Sequence, residues 1–337
     1  MATLVKSPKA HAVAREIKDI LQPVDGDLQR VTARLLKHVQ SSVAHKAVYL
    51  ITAGGKQLRP ALVMLAGRSG DYQKRYEALL DLAVATELIH TATLIHDDII
   101  DESLLRRQQP TFHQRFGTER AVLMGDYLYA TAFAIVAGLG DAQVTSVMAR
   151  VGQQLSRGEF LEVESRCNVE MTEAAYLEII GEKTASLIAA CCHLGAHLAG
   201  AASHTVDRLR EFGWHFGIAF QIMDDCLDLI GEEQTVGKTL RADLDKGSLS
   251  LPVIYVAQAL PKRKREALFA PLRNRTLEKT GLLRIAEEAR RSGAIAQALG
   301  KASGFIQTAL ERIDTQQGVI LAETFQELAR YAIGRVK

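Results

Sequence analysis

The stretch "HDDIIDESLLRR", from His96 to Arg107, places three aspartates and two arginines directly after a run of apolar and small residues. Two carboxylates about 4 Å apart repel each other by roughly 4 kcal/mol at an effective dielectric constant of about 20. Crowded carboxylates at the end of an apolar segment therefore need a cation beside them. A solvated face of a surface helix is the alternative, and it fits poorly with the apolar residues that precede the cluster.

A second stretch, "QIMDDCLD", repeats the spacing of the first cluster at i, i+1 and i+4. Residues four apart share a helix face, so each cluster presents two carboxylates to one opening. Mg²⁺ prefers carboxylate and water oxygens and takes further oxygens from a substrate phosphate. The two clusters therefore predict metal-binding sites whose ions bind a polyphosphate. The predicted metal ligands are Asp97, Asp98, Asp101, Asp224, Asp225 and Asp228.

The segments around the clusters predict an all-α fold. No proline occurs between Pro110 and Pro252, and apolar residues in this span recur at intervals of three and four. That pattern favours long packed helices. Strand signals are confined to isolated short runs such as "LPVIYV", and no Pro/Ser-rich linker or fixed repeat interrupts the chain. We expect a single domain over residues 1–337, with its motifs between about residues 46 and 256.

Composition excludes several other classes of protein. The 337 residues are 47% hydrophobic, which predicts a large buried core. With 41 basic and 39 acidic residues the net charge is +2, so no nucleic-acid surface is expected. The four cysteines form no CxxC pair and are predicted to be free thiols. The N-terminus lacks the apolar core of a signal peptide, and no transmembrane segment is expected, so the predicted location is cytoplasmic.

Basic residues occur in several short motifs that could hold phosphate. "GGKQLRP" places Lys56 and Arg59 between two glycines and a proline, which is typical of a loop that begins a helix, although an ordinary surface turn has the same composition. Arg106 and Arg107 follow the first cluster. "GEKTAS" is predicted to open a helix at Lys183 and Thr184. Together these motifs supply more cations than one metal clamp needs.

Histidines offer two further candidates. His90 precedes Asp97 by seven residues and Asp101 by eleven, which puts the three side chains within about 40° on one helix face. A lone histidine on a helix is more often a core residue, so His90 needs independent support. His193 and His197 in "CCHLGAH" also share a face, but the sequence lacks the glutamate of a zinc protease motif, and core packing is the preferred interpretation.

The ordered motifs resemble those of the trans-isoprenyl diphosphate synthases, particularly the long-chain branch that makes octaprenyl to decaprenyl diphosphates. The resemblance extends from about Lys46 to Val256 and includes "GGKQLRP", "ELIHTATLIHDDIIDESLLRR", "FGTERAVLMGDYLYA", "GEKTAS", "FQIMDDCLD" and "GKTLRADL". It implies a bundle of antiparallel helices around a deep central cavity, with the two aspartate motifs facing each other at its mouth. It also implies a homodimer.

By this resemblance, the six aspartates hold Mg²⁺ on the diphosphate of an allylic substrate, with three ions per active site and Mn²⁺ as an alternative metal. The family's catalytic role falls on these aspartates and Lys183. The residues implied to contact the allylic diphosphate are Arg106, Lys183, Thr184, Gln221 and Lys238. Those implied to bind isopentenyl diphosphate are Lys56, Arg59, His90 and Arg107. Departing pyrophosphate would leave an allylic carbocation, which the double bond of isopentenyl diphosphate attacks.

In the resembled family, bulky residues just before the first aspartate motif limit product length. Ala92 and Thr93 occupy these positions without an aromatic plug, which implies a long product and peripheral membrane contact for its release. Three residues depart from the family pattern, namely Gln108, Arg241 and Ser248. Lys246 is a candidate to replace the lysine that Ser248 displaces.

Rival functions remain open at the level of sequence. A class I terpene cyclase normally carries an Asn/Asp, Ser/Thr, Glu pattern as its second metal site, which "DDCLD" does not match. The three departures raise the alternative of a weakly active or regulatory subunit of a heteromeric synthase, although such subunits typically lose an aspartate motif. A phosphohydrolase would need further His and Asp residues that are not evident. The expected function is a Mg²⁺-dependent prenyltransferase that condenses isopentenyl and allylic diphosphates.

Overall fold

A computed structural model describes residues 17–39, 44–52, 55–107, 109–230, 242–274, 276, 278–313 and 319–334. These residues are almost entirely helical, which confirms the predicted all-α class. The α-helices are α1 Asp25–Val39, α2 Val48–Thr52, α3 Leu58–Gly67, α4 Tyr76–Ile100, α5 Phe112–Phe116, α6 Thr118–Gly138, α7 Ala142–Ser165, α8 Glu173–Ile180, α9 Ser186–Leu198, α10 Ser203–Ile230, α11 Ala242–Asp245, α12 Leu251–Ala259, α13 Lys262–Arg273, α14 Lys279–Arg291, α15 Ala294–Glu311 and α16 Val319–Gly334. Short 3₁₀ turns lie at Gln22–Val24 and Ala44–Ala47.

Two long helices, α4 and α10, organise the core. Helix α4 has 25 residues and α10 has 28. Helix α4 packs against α3 and α6, while α10 packs against α9 and α15, and α3 and α9 join the two groups. Because α4 is apolar on nearly every face, it lies inside the bundle rather than on its surface. Each of these two helices ends at one of the aspartate clusters.

A short hairpin follows α4. Strand β1 Leu105–Arg106 pairs antiparallel with β2 Gln109–Pro110, with Arg106 opposite Gln109. Arg107 has a φ of 52°, in the left-handed region that turns favour. The hairpin therefore turns the chain back immediately after Arg106. Nothing in the sequence pattern predicted these strands, because each has only two residues.

The run "LPVIYV" is helical and not a strand. It forms most of α12, with Pro252 in the first turn, where a missing N–H costs no helical hydrogen bond. Residues 251–257 are buried on every side. A short apolar run that is buried all round has no periodicity to separate helix from strand, so the strand signal was wrong at this point.

A π-helical segment, Gly181–Ala185, joins α8 to α9. Gly158 on α7 and Gly217 on α10 let this segment approach both helices, since an added Cβ would lie 2.8 Å from the Lys183 backbone nitrogen and 2.7 Å from the Ala185 Cα, respectively. The predicted helix start at Lys183 and Thr184 is therefore wrong. The two residues lie inside a continuous helical run, in the wide turn of the π segment, a feature common at functional sites.

Two of the helices, α4 and α6, are long and apolar enough to cross a membrane by length and composition. In α4, 67% of the apolar window is buried inside the protein, which is typical of a core helix. In α6 the buried share is 33%, so much of its apolar surface faces outward. The four cysteines are free thiols, as predicted, and three of them are buried.

Candidate active site

The middle aspartate of the first cluster is turned into the protein. Asp98 is 2% exposed and lies in the last turn of α4. Both of its carboxylate oxygens accept hydrogen bonds from Arg106 Nε at 2.9 Å, and Arg106 Nη2 lies 2.7 Å from Oδ1. The hairpin that carries Arg106 makes this contact, so Asp98 fixes the guanidinium beside the cluster.

Asp101, at the end of α4, is bound by two cations from distant parts of the chain. Arg166 Nη2 donates to Oδ1 at 2.7 Å, and Lys246 Nζ lies 3.0 Å from Oδ2. Lys246 also donates to Ser103 Oγ at 3.1 Å. The candidate replacement for the lysine missing at Ser248 thus lies at the first cluster. Arg166, at the end of α7, carries no signal in the sequence.

Asp97 shares its environment with residues of α7 and the π segment. Lys183 Nζ lies 2.5 Å from Glu159 Oε2 and also pairs with Glu162. Burial raises the pKa of Asp97 to about 8, opposed by Lys183 and Arg106 and reinforced by a hydrogen bond with Glu159. The Asp97 carboxyl therefore holds its proton more tightly than an exposed aspartate does. Sequence reasoning missed Glu159 and Glu162, although their spacing of three on a helix places them on one face.

Lys183 is held as a cation by the carboxylates around it. Burial lowers the pKa of Lys183, but Glu162, Asp97 and Glu159 together raise it above its ordinary value. The ammonium group therefore stays charged despite its partial burial. This places a fixed positive charge beside Asp97, as the predicted diphosphate contact requires.

The second cluster lies in the last two turns of α10, and its middle aspartate is again turned inward. Asp225 is 7% exposed. Tyr176 Oη donates to Asp225 Oδ2 at 2.7 Å, and Gln221 Nε2 donates to Oδ1 at 2.8 Å. Thr184 Oγ1 donates to Gln221 Oε1 at 2.9 Å, so the π segment is linked to the cluster. Tyr176 on α8 was not predicted. Asp224 is half-buried, as is Asp228.

Arg59, in the first turn of α3, interacts electrostatically with both clusters. Burial lowers the pKa of Arg59, while the charges of Glu87, Asp224 and Asp97 raise it. One guanidinium thus interacts with carboxylates at the ends of both α4 and α10. Its Nε atom is shielded from solvent and has no hydrogen-bond partner among the described residues.

Two other residues implied to bind isopentenyl diphosphate, His90 and Arg107, share an electrostatic environment with Arg59. Burial lowers the pKa of His90 well below its ordinary value, and Arg59, Arg106 and Arg107 lower it further. His90 is therefore a neutral imidazole near three arginines, and its role in binding isopentenyl diphosphate stays a prediction. A Cβ on Gly55 would lie 3.0 Å from both terminal nitrogens of Arg107, so the loop that carries Lys56 packs on this guanidinium.

Some of the predicted residues do not join this site. Lys238, Gln108 and Arg241 lie outside the described residues. His197 Nε2 lies 3.0 Å from Asp141 Oδ2 at the start of α7, which supports a packing role.

In the described ranges, no three His, Cys, Asp or Glu side chains converge to enclose a metal by themselves. The aspartate clusters nevertheless fit a hard cation that completes its coordination with water and substrate oxygens, because all their donors are oxygens and Asp97, Asp101, Asp224 and Asp228 remain partly exposed.

The fold and the site together define a class of enzyme. Two long helices each end in carboxylates spaced four residues apart, and buried cations interact with them. This arrangement suits an all-α, metal-dependent enzyme that acts on diphosphates.

Comparison with known proteins identifies the family. A family model described as "Polyprenyl synthetase" matches residues 40–288, and the chain belongs to this family. It is 36% identical to the heptaprenyl diphosphate synthase component 2 of Geobacillus stearothermophilus, over 89% of this chain and 92% of that protein. The predicted family and enzyme class are confirmed: the protein is a prenyltransferase that makes polyprenyl diphosphates.

Solved structures share the fold. The decaprenyl diphosphate synthase of Rhodobacter capsulatus superposes with a TM-score of 0.86 at 30% identity, over 95% of this chain and 99% of that one. The polyprenyl synthase of Caulobacter crescentus CB15, complexed with calcium and isoprenyl diphosphate, gives a TM-score of 0.88 at 32% identity, over 94% and 97% of the two chains. The predicted isoprenoid synthase fold is therefore confirmed.

Proposed function

We propose that this prenyltransferase condenses isopentenyl diphosphate with an allylic diphosphate, such as farnesyl diphosphate, and makes a long-chain all-trans polyprenyl diphosphate. The observation that carries the proposal is that α4 and α10 each end in aspartates spaced four residues apart, with Arg106 bound to Asp98 and Lys183 bound to Glu159 beside the first cluster. One group, around Lys183 and Arg106, suits the allylic diphosphate. A second group, the cations Lys56, Arg59 and Arg107 together with the neutral imidazole of His90, suits isopentenyl diphosphate.

The reaction needs no nucleophilic side chain. The C–O bond of the allylic diphosphate breaks, and pyrophosphate leaves with the electron pair. The double bond of isopentenyl diphosphate then forms a C–C bond to the allylic carbon, and a proton passes to pyrophosphate. Lys183 and Arg106 bind the departing diphosphate, and the buried Asp98 holds Arg106 in place. Bound Mg²⁺ supplies additional neutralisation of the leaving group as a Lewis acid.

The contacts divide the six aspartates into two kinds. Asp98 and Asp225 are buried and already accept hydrogen bonds from Arg106 and from Tyr176 and Gln221. We assign these two to positioning. The direct ligands in this proposal are Asp97, Asp101, Asp224 and Asp228. Calcium in the Caulobacter relative supports a divalent cation at these residues, and three Mg²⁺ ions per site, or Mn²⁺ in their place, belong to the proposal.

We expect the affinity for Mg²⁺ to rise with pH and then to level off. Because the pKa of Asp97 is raised to about 8, a cation that binds this carboxylate must displace a proton at lower pH. The apparent affinity should increase by up to about tenfold per pH unit below about pH 8 and remain constant above it. Calorimetric titration of Mg²⁺ with an unreactive allylic diphosphate analogue, between about pH 6.5 and about pH 8.5, measures this. Glu159→Gln should lower the pH at which the Mg²⁺ affinity stops rising. An affinity for Mg²⁺ that does not depend on pH would contradict the assignment of Asp97 as a metal ligand.

Product length and reaction type are tested in one assay. Ala92, Ile89 and Thr86 are buried on α4, and none is aromatic. The purified enzyme is incubated with Mg²⁺, farnesyl diphosphate and labelled isopentenyl diphosphate, and the extracted products are sized. Polyprenyl products of about 40 carbons or more support the proposal. Cyclic hydrocarbons favour the cyclase alternative, and absence of incorporation by the isolated chain favours a subunit of a heteromeric enzyme.

We further propose that the enzyme is a homodimer joined through α6. Leu123, Ala130, Ala134 and Ala137 recur at intervals of seven, four and three along one face of this helix, and all four are exposed. The neighbouring helix α7 exposes Phe160. An apolar face with small side chains allows close packing against a second helix, and a patch this apolar typically marks an interface. The name "component 2" of the Geobacillus relative makes a heteromer the competing assembly.

We expect Leu123→Asp to convert the dimer into monomers, because a carboxylate in place of the largest side chain of this apolar face would be buried in the interface. Leu123 is 66% exposed in the single chain, so the substitution should leave the fold of the monomer intact. Sedimentation equilibrium measures the assembly state. Leu283→Asp is the matched control, since Leu283 is 43% exposed on α14. A wild-type monomer, or a Leu123→Asp dimer, would rule out this interface.

The cytoplasmic location and a peripheral membrane contact also belong to the proposal. Leu104 and Leu105 are 65% and 64% exposed, and they lie in the hairpin directly after the first aspartate cluster. Exposed apolar side chains beside the site suit release of a long apolar product to a lipid surface.

A further inference from the structure

The last described helix reaches the isopentenyl side of the site through one tyrosine. Lys56 Nζ donates a hydrogen bond to Tyr331 Oη at 2.7 Å and lies 5.0 Å from the centre of the Tyr331 ring. The two residues are 275 positions apart in the chain. Tyr331 is 6% exposed and belongs to α16. A hydrogen bond to a buried phenol fixes both the distance and the direction of the Lys56 ammonium group.

Helix α16 is itself anchored in the core. Phe325, two turns before Tyr331, packs edge-on against Phe212 of α10 with ring centres 4.8 Å apart. Phe212 stacks on Phe216 of the same helix at 5.6 Å. The phenol of Tyr331 therefore approaches Lys56 from a rigid support, and α10, which carries the second aspartate cluster, is part of that support.

The nature of this contact differs from those on the allylic side. Arg106, Arg166, Lys183 and Lys246 each bind carboxylates, which oppose their charge. A phenol is neutral at physiological pH, so its contact orients the Lys56 ammonium group without cancelling the charge.

We propose that Tyr331 is a positioning residue for isopentenyl diphosphate and acts by holding Lys56 toward the group formed with Arg59, His90 and Arg107. The inference rests on the proposed function, because it assigns this group to the isopentenyl substrate. Tyr331 touches Lys56 and acts through it. Its loss therefore weakens the binding of isopentenyl diphosphate and leaves the allylic substrate unaffected.

The test is a double-mutant cycle on the full-length enzyme, with isopentenyl diphosphate binding measured by calorimetry. Tyr331→Phe retains the ring and removes the hydrogen bond, and we expect a dissociation constant about five- to tenfold higher. The KM for farnesyl diphosphate should stay within about twofold. In a Lys56→Gln background, Tyr331→Phe should have no additional effect, because the group that it positions is gone.

Tyr255→Phe is the matched control. Tyr255 is also a buried tyrosine, 6% exposed, and its hydroxyl donates to Glu173 Oε2 at 2.7 Å. This variant should melt at a lower temperature and bind isopentenyl diphosphate as the wild type does. A Tyr331→Phe enzyme that binds within about twofold of wild type, or that loses the same factor in the Lys56→Gln background, would overturn the inference. If the wild type incorporates no isopentenyl diphosphate, the proposed function fails, and the same cycle with inorganic pyrophosphate as the probe then decides the role of Tyr331.

Discussion

Asp97→Asn is expected to lower kcat by about a thousandfold or more while the protein remains folded. Asparagine keeps the size of the side chain and removes the negative charge on which the proposed metal site depends. A metal that neutralises a leaving diphosphate contributes several kcal/mol to the transition state, and a loss of about 4 kcal/mol is roughly a thousandfold in rate. Steady-state incorporation of labelled isopentenyl diphosphate at saturating Mg²⁺ measures the effect.

The fold should tolerate this substitution for a local reason. Asp97 is buried beside Glu159, and burial together with this neighbour raises its pKa to about 8. An asparagine in place of Asp97 carries no charge that burial could penalise, and its amide can still hydrogen-bond to Glu159. The melting temperature of the variant should therefore equal or exceed that of the wild type.

Asp81→Asn provides a control on the same helix. Asp81 is 37% exposed and accepts a hydrogen bond from Arg34 Nη1 at 2.8 Å, far from the clusters. Exposed ion pairs typically contribute about 0.2–1 kcal/mol, so a small loss of stability and an unchanged kcat are expected. Substantial activity in the Asp97→Asn enzyme would refute the metal assignment. The substitution removes only the charge of Asp97, and this charge is what a bound metal requires.

The spacing of the aspartates predicted more of the site than the composition of any single motif. Successive residues on a helix are about 100° apart, so residues i and i+4 face the same way, whereas i+1 turns aside. The contacts follow this rule, since Asp98 and Asp225 turn into the protein, toward Arg106 and toward Tyr176 and Gln221. The repeated spacing therefore predicted two similar clusters, and helix geometry explains why the middle aspartate of each is turned into the protein.

The partners of the clusters could not be predicted in the same way. Arg166, Glu159 and Tyr176 come from helices far from the clusters in sequence, and none stands in a motif that signals a ligand. Tyr331 reaches Lys56 from the far end of the chain. Such contacts depend on how helices pack, and apolar periodicity specifies which face of a helix is buried but not which helix covers it.

The π segment illustrates the same limit on a smaller scale. "GEKTAS" is typical of a helix start, because glycine precedes charged and hydroxyl residues. In the structure the helix continues through this stretch with a wider turn, because Gly158 and Gly217 admit it closely between α7 and α10. The widened turn places Lys183 against Glu159 and Thr184 against Gln221, toward different clusters. Two neighbouring residues thereby contact the surroundings of both aspartate clusters.

Lys183→Gln is expected to reduce both activity and stability, and the two effects can be separated. The ammonium group lies 2.5 Å from Glu159 and also pairs with Glu162, so its removal leaves buried carboxylates without a counter-charge. Removing one partner of a buried ion pair typically lowers the free energy of unfolding by about 3–5 kcal/mol. We expect a comparable loss in the free energy of unfolding, measured by urea denaturation, and a decrease in kcat of about a hundredfold from loss of a charged contact to the leaving diphosphate.

The double variant Lys183→Gln with Glu159→Gln distinguishes the two roles. Neutralising Glu159 removes much of the repulsion that the single variant creates, so most of the lost stability should return. Activity should not return, because the positive charge beside the diphosphate is still absent. Lys301→Gln is the matched control, since Lys301 pairs with Glu173 at 2.7 Å and is 40% exposed, and it should change neither quantity by much. Recovery of activity together with stability in the double variant would show that Lys183 acts only by balancing charge within the fold.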